Sequence, residues 1–116
     1  MRALNFKFSD FFGNMKRIAM KQLTVVEGKV PEEKVDEFKH IFEGMKNGPK
    51  PDGLLHAYLV KKQNSNICQI VGIWANLESI EKMKEGGPLP VTMAFKKIGV
   101  EPTQSIYEIL NEGKMQ

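Results

Sequence analysis

The feature that most constrains the fold is a change of hydrophobic period within residues 67–85. The first part of this stretch is an apolar run of strand length, rich in β-branched side chains. The second part repeats apolar residues at helical spacing, at Leu77, Ile80 and Met83, and Asn76 is a favourable N-cap before them. The stretch therefore predicts a buried strand that passes directly into a helix.

A hairpin is predicted ahead of this helix. Residues 54–63 have strand character, and the Asn64-Ser65 pair is typical of a tight turn into the strand that follows. If Gln63 pairs with Asn66, one face of the hairpin is apolar. On that face Leu55 lies opposite Trp74, Ala57 opposite Gly72, and Leu59 opposite Ile70. We expect that face to meet the helices. The opposite face carries His56, Tyr58 and Gln69, and we expect it to border a cavity or a partner.

The remaining elements complete a β-α-β-β-α-β order. Residues 17–26 predict the first strand, with 27–29 as its turn, and residues 103–110 predict the last strand. Pro31 begins a helix whose apolar stripe is Val35, Phe38, Ile41, Phe42 and Met45. This order predicts an α+β, ferredoxin-like fold with a one-sided antiparallel sheet. A second copy of the chain is the simplest cover for the other face, so we expect a homodimer.

The N-terminal residues are interpreted separately. Leu4, Phe6 and Phe8 alternate with polar residues, which is a strand period. Two interpretations stay open: an additional edge strand or arm, or translated sequence upstream of an internal start at Met15. The chain is accordingly divided into an N-terminal extension, 1–14, and one domain, 15–116.

Composition narrows the functional classes. The net charge of +3 is mild and the lysines are scattered, so we expect no nucleic-acid partner. No apolar run approaches the roughly 20 residues that cross a bilayer, so we expect no membrane partner. The single cysteine, Cys68, excludes an intrachain disulfide and favours a cytoplasmic location.

Taken together, these patterns resemble the antibiotic-biosynthesis monooxygenase family of dimeric α+β barrels. The resemblance is carried by residues 23–29, 51–54, 71–79 and 98–102, in that order and spacing. It implies a homodimer with an apolar cavity that takes a small apolar or aromatic ligand. It also implies that the chain is similar to monooxygenases that act on a small aromatic or enolic substrate without metal or flavin. The haem-degrading branch uses an Asn, a Trp and a His where this chain has Lys21, Met83 and Met93.

Cofactor and metal sites are not indicated. The two histidines and Cys68 lie on different predicted elements, without the spacing of metal ligands, and no Gly-x-Gly-x-x-Gly loop follows a strand. Cys68 lies among apolar strand residues, where an inert core thiol is expected.

His56 and Tyr58 are the candidate catalytic pair. An imidazole can act as the base for an activated phenol or enol, and a tyrosine hydroxyl can donate to a developing oxyanion. The alternative is that both are interface residues. Candidate binding residues are Gln69, Trp74 and Met83, whereas His40 is expected on the solvent side of its helix. A non-catalytic small-molecule binder and an assembly module remain the alternative functions.

Overall fold

The structure is a computed structural model that describes residues 20–87, 89–113 and 115. Its strands are β1 (Gln22–Lys29), β2 (Leu54–Lys61), β3 (Ile67–Trp74) and β4 (Thr103–Glu108). Its helices are a 3₁₀ turn (Glu32–Lys34), α1 (Val35–Lys46), α2 (Leu77–Glu85) and α3 (Pro90–Lys97). The predicted extension, 1–14, and the domain start at residue 15 lie outside the described residues.

The four strands form one antiparallel sheet in the order β2-β3-β1-β4. Strands β1 and β3 are therefore central, and β2 and β4 are the edges. The predicted ferredoxin-like order is confirmed, with α3 as a short additional helix before the last strand. The start of α2 is also as predicted, because the Asn76 side chain accepts a hydrogen bond from the Ser79 amide at 2.9 Å.

The boundaries of β1 differ from the prediction. Residues 27–29 were expected to turn, yet they continue β1, and Gly28 pairs with Cys68 of β3. A Cβ on Gly28 would lie 2.7 Å from Val100 and 2.9 Å from Phe95. The glycine therefore lets the loop after α3 pack directly on the strand, which is a tertiary reason that a local turn pattern does not reveal.

The hairpin register is correct over most of its length. His56 pairs with Ile73, Ala57 with Gly72, and Leu59 with Ile70, as expected. The pairing of Leu55 with Trp74 is wrong, because Leu54 pairs with Trp74 and the register shifts by one between Leu54 and His56. Leu55 is the extra residue of this β-bulge and is 45% exposed.

The hydrophobic core lies between one face of the sheet and the helices. Alternate residues of β1 and β3 are buried on that face, including Val26 and Ile70. Phe38 of α1 and Phe95 of α3 meet there with ring centroids 4.6 Å apart and an interplanar angle of 49°. These two fully buried rings join the helices to each other above the sheet.

The other face of the sheet is called here the open face. It carries the intervening residues, of which the apolar ones are Leu23, Val25, Tyr58, Val60, Ile67, Val71, Ile73 and Tyr107. Tyr58 and Tyr107 are 52% and 56% exposed, and the valines of the central strands are half-buried. A sheet face with this many exposed or half-buried apolar side chains is typical of an interaction site.

Candidate functional site

The main cavity lies between the helices and the helix-facing side of the sheet. Its volume is about 1090 Å³, which is just above the usual range for small-molecule pockets. The sheet contributes Thr24, Ile70, Gly72 and Trp74, and the helices contribute Met45 and Met83 among others. The wall is therefore mainly apolar, with a small number of polar groups.

The polar element of the buried wall is a hydrogen bond between two strands. The Trp74 Nε1–H donates to Thr24 Oγ1 at 3.0 Å, and each residue is only 4% exposed. Thr24 pairs directly with Gly72, two residues before Trp74 on the same face of β3. The indole therefore folds back along its own strand to reach the neighbouring strand.

Gly72 makes this arrangement possible. A Cβ at Gly72 would lie 2.9 Å from both Thr24 Oγ1 and Trp74 Nε1, which are the two atoms of the hydrogen bond. It would also lie 3.4 Å from the Leu54 side chain. The absence of a side chain at this position leaves room for the indole against the sheet, where it borders the cavity.

The titratable groups that border the cavity lie at its opening. His40 and His56 are both exposed, as are the lysines, which are Lys46, Lys50 and Lys97. The buried lining, by contrast, is formed by Thr24, Ile70, Gly72, Trp74, Leu89 and Ala94. Proton transfer at this cavity would therefore involve a group at the opening rather than one in the buried wall.

The five predicted site residues lie on two sides of the sheet. Trp74, Met83 and His56 border the cavity. Tyr58 and Gln69 do not, because both lie on the open face with their partners Val71 and Glu27. The cavity in the structure lies against the opposite, apolar face, so it is not the cavity expected beside Tyr58 and Gln69; the other expectation for their face, a partner, stays a prediction.

The predicted catalytic pair remains adjacent in space. The rings of His56 and Tyr58 are stacked, with centroids 6.2 Å apart and an interplanar angle of 18°. His56 is the first residue after the bulge on edge strand β2, which explains how it belongs to the open-face register and also borders the cavity. Tyr58 is two residues further along, on the open face, and does not line the cavity.

Sequence reasoning did not single out Thr24, which lines the cavity. The sequence offers only a weak signal, a polar residue on a strand position that faces the apolar layer, and this signal does not by itself indicate a site. His40 is exposed as expected, although it also lies at the cavity opening.

Cys68 is a buried residue of β3, as predicted, and is 3% exposed. Burial raises the pKa of its thiol, and the nearby positive charge of Lys61 only partly offsets this effect. The population of reactive thiolate is therefore reduced, in keeping with an inert core residue.

Within the part of the chain that the structure describes, no three or more His, Cys, Asp or Glu residues form a group that could hold a metal ion. No helix among the same residues is long and apolar enough to cross a membrane.

Comparison with solved structures identifies proteins of the same fold. A candidate antibiotic biosynthesis monooxygenase from Deinococcus radiodurans is 15% identical, with a TM-score of 0.64 over 82% of this chain and 98% of that one. SnoaB, a cofactor-independent oxygenase from Streptomyces nogalater, is 14% identical, with a TM-score of 0.55 over 81% and 97%. A haem-degrading protein from Mycobacterium tuberculosis is 17% identical, with a TM-score of 0.56 over 84% and 99%.

At the level of sequence, no family model and no curated protein matches the chain. The resemblance that the sequence patterns carry is thus confirmed as a likeness of fold. The neighbours include oxygenases and a haem-degrading protein, so one architecture accompanies several activities. The chain has the ferredoxin-like fold of the antibiotic biosynthesis monooxygenase structures.

Proposed function

We propose that this protein oxygenates a small aromatic or enolic substrate in its apolar cavity, without metal or flavin. The observation that carries the proposal is the cavity itself, whose largely apolar wall contains a few placed polar groups. The shared fold with a cofactor-independent oxygenase supports the same assignment by analogy.

The chemistry requires a substrate that can form a stabilised anion. A base removes a proton from an acidic methylene group flanked by aromatic rings, and the resulting carbanion is oxidised by O₂ to a peroxide with a new C–O bond. Loss of water then breaks the O–O bond and leaves a ketone. The balance is CH₂ + O₂ → C=O + H₂O, in which the carbon loses four electrons and O₂ gains four.

His56 is the proposed base, and Tyr58 is the proposed second member of the pair. His56 borders the cavity opening, and an imidazole is suited to proton abstraction near neutral pH. Tyr58 stacks on His56 from the open side of the sheet, so its role in this arrangement is to orient the imidazole. Gln69 lies on the open face, whereas Trp74 and Met83 are the proposed substrate contacts.

The proposed assembly is a homodimer formed through the open face. The apolar residues of that face, among them Val25 and Val71 on the central strands, have the composition of a surface that is buried against another chain. A dimer of this kind would also cover Tyr58 and the adjacent side of His56. The proposed location is the cytoplasm, because the chain has a single cysteine and therefore no intrachain disulfide.

Non-catalytic binding of a small apolar metabolite is the second candidate function. The specific observation in its favour is that the titratable side chains around the cavity are exposed, while the buried lining holds none among the described residues. An enzyme that depends on a general base often holds that group in a partly buried setting. Binding without turnover would need only the apolar wall.

Turnover separates the two candidates. Dithranol, whose central ring carries an acidic methylene group, is incubated with the protein while O₂ uptake and ketone formation are followed. The oxygenase proposal expects one O₂ consumed per ketone formed, and at least about a hundredfold lower kcat for His56→Ala. Lys62→Ala, an exposed change beyond the end of β2, is the matched control.

Saturable binding of dithranol without O₂ uptake above the uncatalysed rate would favour the binder instead. Equal turnover by the parent protein and His56→Ala would remove His56 from the role of base. His40→Ala then becomes the informative variant, because His40 is the other imidazole at the cavity opening.

A further inference from the structure

We propose that the Thr24 hydroxyl is the polar anchor of the cavity and donates a hydrogen bond to an acceptor oxygen of the ligand. The proposal rests on the proposed function, since it assumes that an aromatic molecule occupies the cavity. It narrows the ligand class to aromatics that carry a carbonyl or phenolate oxygen. Trp74 acts as the positioning residue.

The direction of the existing hydrogen bond determines which further hydrogen bond the Thr24 hydroxyl can make. An indole N–H can only donate, so Thr24 Oγ1 is the acceptor in its contact with Trp74. A threonine hydroxyl also carries one proton of its own, which rotates to suit its surroundings. In residues 20–87, 89–113 and 115, the hydrogen bond of the Thr24 hydroxyl is the one that it accepts from Trp74, and none has this hydroxyl as donor. The group is therefore able to donate to a molecule in the cavity.

The setting of this hydroxyl favours its use as a recognition element. Thr24 is 4% exposed and borders the cavity, where its hydroxyl is hydrogen-bonded to Trp74 and its strand partner is Gly72. A hydrogen bond in such a low-dielectric site is stronger than one in water, and a donor left without an acceptor there is costly. An acceptor oxygen on the ligand would satisfy the hydroxyl and fix the ligand's orientation.

Gly72 supports the same arrangement from the sheet. A Cβ at Gly72 would lie 2.9 Å from each atom of the Thr24–Trp74 hydrogen bond, so the missing side chain lets the indole reach Thr24. Trp74 occupies part of the space that this leaves and holds the Thr24 oxygen by one of its lone pairs. Ala57, which pairs with Gly72 on the other side, lines the cavity as well.

The proposal predicts that a ligand with an acceptor oxygen binds more tightly than its apolar analogue. An entirely apolar cavity would give the opposite order. The probes are 9-fluorenone, which has one carbonyl acceptor, and fluorene, which has a methylene group in its place. Fluorene is the more hydrophobic of the two, so apolar burial alone favours it. Donation by Thr24 should instead make fluorenone bind about threefold to tenfold more tightly.

Equilibrium dialysis measures both dissociation constants for the parent protein, for Trp74→Phe and for the double variant Thr24→Val/Trp74→Phe. Thr24→Val alone would leave the indole N–H buried without an acceptor, whereas removing both partners avoids that cost. The two variants differ only at residue 24, where a methyl group replaces the hydroxyl. Trp74→Phe should keep the preference for fluorenone, and the double variant should lose it.

The infrared carbonyl stretch of bound fluorenone provides a second readout that needs no variant. Donation to the carbonyl should shift the band of the parent complex to lower frequency than in hexane. An unshifted band, or a double variant that keeps the preference for fluorenone, would overturn the role of Thr24. Equal binding of the two probes would overturn it while leaving the cavity as a ligand site, whereas binding of neither probe would contradict the proposed function as well.

Discussion

Gln69 and Glu27 are joined across the two central strands of the sheet. The Gln69 Nε2 donates to Glu27 Oε1 at 2.6 Å, and the two residues are direct register partners on the open face. The side-chain amide of Gln69 is therefore engaged within the sheet, on the side away from the cavity. This geometry gives Gln69 a contact between strands, whereas the sequence predicted a contact with the ligand.

Gln69→Ala should therefore affect stability and leave ligand affinity in the cavity unchanged. Loss of a partly buried hydrogen bond to a carboxylate is expected to cost about 1–2 kcal/mol of unfolding free energy. Urea denaturation measures the first quantity, and dialysis of 9-fluorenone measures the second. A loss of affinity of tenfold or more in a folded Gln69→Ala protein would restore Gln69 as a binding residue.

Gly72→Ala should destabilise the protein by about 1–3 kcal/mol. The added methyl group would collide with both atoms of the Thr24–Trp74 hydrogen bond, and separating them would leave a buried indole N–H without an acceptor. Gly44→Ala is the matched control, because a Cβ at this position of α1 meets nothing within 4 Å. The control should raise the unfolding free energy by about 0.5–1 kcal/mol. Equal effects of the two substitutions would contradict the close approach at Gly72.

Val71→Lys should convert the proposed dimer into a folded monomer. Val71 lies on a central strand of the open face, opposite Val25 and Tyr58, and a lysine there would place a charge in the interface. Asn47→Lys, an exposed change of equal charge at the end of α1, should leave the dimer intact. Sedimentation velocity at micromolar concentration distinguishes the species. A monomeric parent protein would refute the dimer, and a dimeric Val71→Lys protein would place the interface elsewhere.

The Cys68 thiol should react with a disulfide reagent only as fast as the protein unfolds. Burial limits access to the thiol and raises its pKa, so the thiolate fraction at any pH below that raised pKa is smaller than in the unfolded chain. Labelling should accelerate in denaturant in parallel with the loss of circular dichroism. A Lys62→Cys variant, exposed beyond the end of β2, should label rapidly in the native state. Rapid labelling of Cys68 itself in native buffer would contradict its placement in the core.

The order of elements and most of the hairpin could be predicted from sequence, because they follow from local periods and turn chemistry. The period change after Trp74 and the Asn76 cap are examples. The position of the cavity could not be obtained in this way. It depends on how α1 and α3 stand above the sheet, which in turn depends on long-range contacts such as that between Phe38 and Phe95.

The role of Leu55 also lay beyond a sequence pattern. Strict alternation favoured pairing it with Trp74. A β-bulge that shifts the register by one residue cannot be recognised from the sequence within an apolar Leu-Leu pair. Thr24 was overlooked for a related reason. A threonine in a strand is common, and its importance emerges only when the neighbouring strand brings Trp74 over Gly72.

A crystal structure with bound 2-bromofluorenone would test the central claim most directly, since bromine gives an anomalous signal that locates the ligand independently of the protein model. The account predicts one peak per chain within the cavity between Trp74 and Met83, with the ketone oxygen within hydrogen-bond distance of Thr24 Oγ1. A peak on the open face beside Tyr58 and Val71, with the cavity empty, would contradict it.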